Sequence, residues 1–75
     1  MKGFRTWSVE MTEDNGQTPI STTYFARKRD ANKYADFQMR KNPDKEIWLN
    51  TLQPSSPDYQ KLVLIYRELV WKPPF

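Results

Sequence analysis

Apolar and polar residues alternate along two short stretches of the chain, and Asn15-Gly16 lies between them. Asn-Gly is the pair that a two-residue type I′ hairpin turn demands, because both central positions take positive φ. A hairpin centred there pairs Met11 with Ile20, Val9 with Thr22 and Trp7 with Tyr24. Since strand side chains alternate, Trp7, Val9, Met11, Ile20, Thr22 and Tyr24 share one face. Thr6, Ser8, Glu10, Ser21 and Thr23 share the other, with Phe25 its only large apolar member. One oily face and one polar face predict a sheet covered on one side. The strands run over Phe4–Met11 and Ile20–Ala26, with Pro19, which cannot donate to a ladder, at the start of the second.

After Arg27-Lys28-Arg29-Asp30 the period changes to that of a helix, which runs to about Lys41. Asp30 is a candidate N-cap, with a start two residues earlier as the alternative. Asn42-Pro43 ends the helix, because the residue before proline avoids the α region. Ala31, Ala35 and Gln38 line one edge, flanked by Tyr34 and Met39, so the two alanines allow close approach to the oily face of the sheet. The opposite arc carries Lys33, Phe37 and Arg40, with Lys41 nearby. Glu46–Leu52 reads as a third strand, with Ile47, Leu49 and Thr51 on one face and Trp48, Asn50 and Leu52 on the other; either face can be the core side.

Gln53-Pro54-Ser55-Ser56-Pro57 is a break whose Pro54-x-x-Pro57 is read as turn chemistry rather than as a ligand for proline-recognition domains. Beyond it, Tyr59, Leu62, Val63, Tyr66, Leu69 and Val70 follow helical spacing. Ser56 as N-cap, Pro57 at the first helical position and Asp58 in the first turn are coherent start signals, with Ser55-x-x-Asp58 an alternative cap. A helix over 58–72 is therefore expected; the strand-favouring run Leu62–Tyr66 keeps a fourth strand as the alternative. In either form the segment is apolar nearly all round, more than so short a chain can bury alone. Self-association through Leu64, Tyr66, Leu69 and Trp71 follows as the expectation.

The fold class is thus α+β: one domain over 1–75, a β-hairpin, a helix and a third strand (ββαβ), then a C-terminal helix, with frayed tails at 1–3 and 73–75. Seventy-five residues without cysteine exclude a disulfide framework and a thiolate metal site, and suit a reducing cytoplasm. The absence of histidine removes the commonest metal ligand and the usual general base. No apolar run is long enough to span a bilayer and the N-terminus has no signal-peptide core, so no membrane role is expected. Hydroxyls lack an imidazole to activate them, and Glu13-Asp14 and Asp44/Glu46 fall in turns and at a strand edge. With only Gly3 and Gly16 there is no glycine-rich phosphate loop. The chain reads as a non-enzyme with no cofactor and no metal.

The net charge is only +3, yet Arg27, Lys28, Arg29, Lys33, Arg40 and Lys41 hold six of the twelve basic residues within fifteen positions. With Phe37 among them, these residues are the candidate partner-binding set. They suit an acidic protein surface. The alternative is nucleic acid, with phosphates on the cations and a base stacked on Phe37 or Tyr34. No helix-turn-helix, RNP or zinc-finger pattern accompanies them. In length and in hairpin–helix–strand order the chain resembles small phage-encoded proteins that bind and inhibit host enzymes or defence complexes, a likeness of kind that no residue motif carries. It implies a small protein-binding inhibitor; the missing cysteines add a cytoplasmic setting, and the apolar C-terminal segment adds a homodimer as the self-associated form.

Overall fold

The computed structural model describes residues 5–54 and 61–74. Its elements are β1 (Thr6–Thr12), β2 (Pro19–Phe25), α1 (Lys28–Lys41), β3 (Glu46–Pro54) and β4 (Leu62–Trp71). The four strands form one sheet in the order β2-β1-β3-β4, and every neighbouring pair is antiparallel. With β1 between them, β2 and β3 run in the same direction, and α1 crosses from one to the other. The result is a small α+β domain with α1 packed on one sheet face.

The turn forms as its residues dictate, with φ of 64° at Asn15 and 87° at Gly16. The Asp14 carboxylate accepts from the backbone N–H of Gln17 (3.0 Å) and Thr18 (2.8 Å), fastening the return of the chain. The register beyond it differs from the simple count. Thr12 pairs with Pro19, but Met11 pairs with Ser21, so Ile20 is an extra residue on β2. From there outward Val9 pairs with Thr23 and Trp7 with Phe25. This bulge turns Phe25 onto the face of Trp7, Val9 and Met11, and leaves Ile20 and Tyr24 exposed. One extra residue exchanges the two faces of everything beyond it.

In α1, Ala31, Ala35 and Gln38 are buried, as the helical period requires. The helix starts at Lys28 with Arg27 as its N-cap, so Asp30 lies in the first turn and is not the cap. Val9, Met11, Ile47 and Leu49 meet Ala31 and Ala35 in the core, with Trp7, Phe25, Tyr34, Met39 and Trp71 packed around them. Ile47 and Leu49 therefore select the core face of β3.

The expected C-terminal helix is not formed: Leu62–Trp71 is the fourth strand, paired along β3. The caps at Ser55, Ser56, Pro57 and Asp58, and the Pro54-x-x-Pro57 connection beyond Pro54, lie outside the described residues, as does the expected frayed start at 1–3. Pro73 and Pro74 form no regular structure. The reason for the misreading is in the pairing. Ile65 and Val70 are extra residues against β3, so the register slips twice. Leu62, Leu64, Arg67 and Leu69 fall on one face, and Val63, Tyr66, Glu68 and Trp71 on the other. Spacings of two and three residues imitate a helical repeat while the backbone stays extended.

Candidate interaction surfaces

Two surfaces stand out from the scaffold. The first is the outer side of α1. Arg27, Lys28, Arg29, Lys33, Arg40 and Lys41 are all exposed. They do not converge on one point. A helix rises about 1.5 Å per residue, so the stripe is roughly 20 Å long, with Arg27–Arg29 at one end and Arg40–Lys41 at the other.

The starting end breaks a local rule. Arg27 is the N-cap with extended backbone and makes no side-chain cap bond, and Lys28 and Arg29 follow it into the first turn. Free N–H groups and the positive end of the helix dipole favour anions there, so three cations are held against the local field. Asp30 in the first turn and Arg40 and Lys41 in the last obey the same rule. The other end is built around Phe37, whose side chain is 52% exposed. Lys41 Nζ lies 5.5 Å from its ring centroid, a cation–π arrangement. Tyr34 stands 6.2 Å from Phe37 and 5.3 Å from Phe25, making an aromatic line from edge strand β2 to the outer side of the helix. Gln38 holds Tyr34 in place by donating to its hydroxyl at 2.6 Å. Arg40 is engaged by Asp36 at 3.1 Å, which leaves Lys33 as the cation presented along the middle of the stripe.

The second surface is β4. Leu62, Val63, Leu64, Ile65, Tyr66, Leu69 and Val70 are exposed, whereas among the described residues the core holds only four apolar side chains larger than alanine. The helix packs chiefly on β3, β1 and β2. Leu64, Tyr66 and Leu69 lie in this exposed run. Trp71 behaves differently: it packs against the core, and its indole N–H donates to the Pro43 carbonyl at 2.9 Å.

On the sheet face opposite α1 lies a polar cluster that sequence reasoning did not assemble. The Arg67 guanidinium stacks 4.3 Å from the Trp48 ring and donates to Glu10 Oε1 at 3.2 Å. Asn50 Nδ2 donates to the same oxygen at 2.7 Å and to Ser8 Oγ at 3.2 Å. Trp48 Nε1 donates to Thr12 Oγ1 at 2.9 Å, and that hydroxyl donates to Glu46 Oε1 at 2.6 Å. The backbone N–H of Asn15 also donates to Glu46, at 2.8 Å. The cluster ties β1, β3, β4 and the hairpin turn together. Its only signal in the sequence was the alternation that puts Trp48 and Asn50 opposite Ile47 and Leu49.

Among the described residues no concave pocket opens, and no group of three His, Cys, Asp or Glu side chains could hold a metal ion. No helix among them is long and apolar enough to cross a membrane. No protein-family model, curated protein or solved structure matches the chain.

Proposed function

We propose that this chain is a non-catalytic protein-binding module that lays the outer stripe of α1 on an acidic surface of its partner, as a small cytoplasmic inhibitor of the phage-encoded kind. The observation that carries this reading is the uncapped, cationic start of α1. Arg27, Lys28 and Arg29 oppose the dipole of their own helix, at a cost of about 0.3–1 kcal/mol each. Local rules are broken where function requires it, and an anionic partner turns that cost into a gain. Phe37 then supplies an aromatic anchor ringed by cations, the composition of an interface hot spot.

A second reading, nucleic acid, draws on a specific feature: the Phe25–Tyr34–Phe37 line beside the same cations could stack unpaired bases.

The test compares the wild-type chain with the Arg29→Glu/Lys33→Glu double variant as bait in cell lysate, with and without nuclease and at two salt concentrations. Glutamate at position 29 lies in the first turn and suits the dipole, and Lys33 is exposed, so the variant keeps its helix. A partner protein retained by wild type, insensitive to nuclease and lost from the variant is the expected result. Retention by the variant overturns the helix-stripe reading. Recovery of nucleic acid, with a log–log salt slope of roughly −0.9 per phosphate contact on duplex DNA, establishes the second reading instead.

A further inference from the structure

We propose that β4 pairs edge to edge with β4 of a second copy, closing a two-fold dimer around one continuous antiparallel sheet. This proposal is independent of what the helix stripe binds.

An unpaired sheet edge is a template for another strand, and proteins normally blunt it with proline, charge, bulges or brevity. The two edges of this sheet, β2 and β4, both carry bulges, and differ in length, proline and apolar content. β2 begins at Pro19, bulges at Ile20 and continues through Ser21, Thr22 and Thr23. β4 is the longest strand, with ten residues and no proline or lysine inside it. Lys61 and Lys72 flank the strand and leave it uninterrupted. Its two bulges leave Tyr66–Leu69 in unbroken register with Thr51–Trp48, and this stretch offers the regular backbone for a pairing strand.

The pattern of β4 identifies the occupant. Leu62-Val63-Leu64 at one end and Leu69-Val70-Trp71 at the other bracket the only two charges, Arg67 and Glu68. An antiparallel copy therefore lays apolar end against apolar end. The two charges cancel, and Arg67 is already engaged by Glu10 within its own chain, so the strand gives an acidic or basic partner nothing to select. Self-pairing is isologous: it uses the free edges of both β4 strands and leaves only the guarded β2 edges outermost. Assembly stops at two.

Sedimentation velocity of the full chain at micromolar concentrations tests this. The expected mass is twice the 9.0 kDa of the single chain, and Ile65→Lys/Tyr66→Lys should return it to the single-chain value with the circular-dichroism spectrum retained. A wild type that sediments as one chain throughout, or a folded double variant that stays dimeric, overturns the proposal. Because the chain has no cysteine, single cysteines provide a second measurement that does not rely on the lysine variant folding. Tyr66→Cys, at the middle of β4, should form a disulfide-linked dimer under mild oxidation, while Ser21→Cys on β2 should not. Cross-linking through position 21 and not 66 places the contact on the wrong edge and overturns the proposal.

Discussion

A Cβ on Gly16 would stand 2.9 Å from Trp48 Cζ2 and 3.1 Å from Arg67 Nη2, at a backbone φ of +87°. Neither neighbour gives way easily: Trp48 is tied to Thr12 by its indole N–H, and Arg67 is held between Trp48 and Glu10. Gly16→Ala therefore combines left-handed backbone strain, about 1 kcal/mol, with overpacking of about another 1 kcal/mol. A loss near 2 kcal/mol should lower the melting temperature by roughly 8–16 °C in a chain of this size. Thermal denaturation followed by circular dichroism checks it. The need for glycine was legible from the turn alone, because Asn15-Gly16 demands positive φ. The contact with Trp48 was not, since it joins residues separated by thirty-two positions across two strands.

At the scale of elements, α1 was legible and β4 was not. The helix shows a single undisturbed period, with Ala31, Ala35 and Gln38 buried and Lys33 and Phe37 outside. β4 contains two slips, and alternation interrupted twice cannot be told from helical spacing without its partner strand. The hairpin misleads for the same reason on a smaller scale, because nothing in Pro19-Ile20-Ser21 announces the bulge that reverses Tyr24 and Phe25. The candidate site was legible as a list of exposed cations around Phe37. Its uncapped start became visible only when the helix was seen to begin at Lys28. That start yields a prediction with opposite signs. Arg27→Ser supplies a cap to an end that has none and should stabilise the fold by about 1 kcal/mol. The same change should weaken partner binding, and melting curves alongside an affinity titration read the two effects separately.

Among the described residues, the groups whose pKa folding shifts lie at the two ends of the pH scale. The backbone N–H of Thr18 holds the Asp14 carboxyl below its ordinary 3.8, and the Lys45 ammonium does the same for Asp44. Asp44, followed by Glu13, raises Lys45 above its ordinary 10.5. For the lowered carboxyls, the stabilisation is complete above their unfolded pKa and disappears as pH falls through the folded one. For the raised lysine it is complete below 10.5 and disappears as pH rises through the folded value. No histidine titrates in between. The melting temperature should therefore be flat across neutral pH, falling in acid below about pH 4 and in base above about pH 10.5, as a pH series of melts would show. Asp14→Asn should remove part of the acid limb.

The strand order has a consequence for reach. In the dimer the sheet runs β2-β1-β3-β4 and back again, and an axis normal to the sheet keeps both helices on one side. Five strand spacings separate the two β1 strands, so the two cationic stripes lie roughly 24 Å apart. A partner with acidic patches repeated at that distance would be gripped twice. Avidity of this kind multiplies a modest single contact by factors of about 10²–10⁴ with no new atom touching. A weak grip by one helix is then enough, provided the target is itself two-fold or periodic.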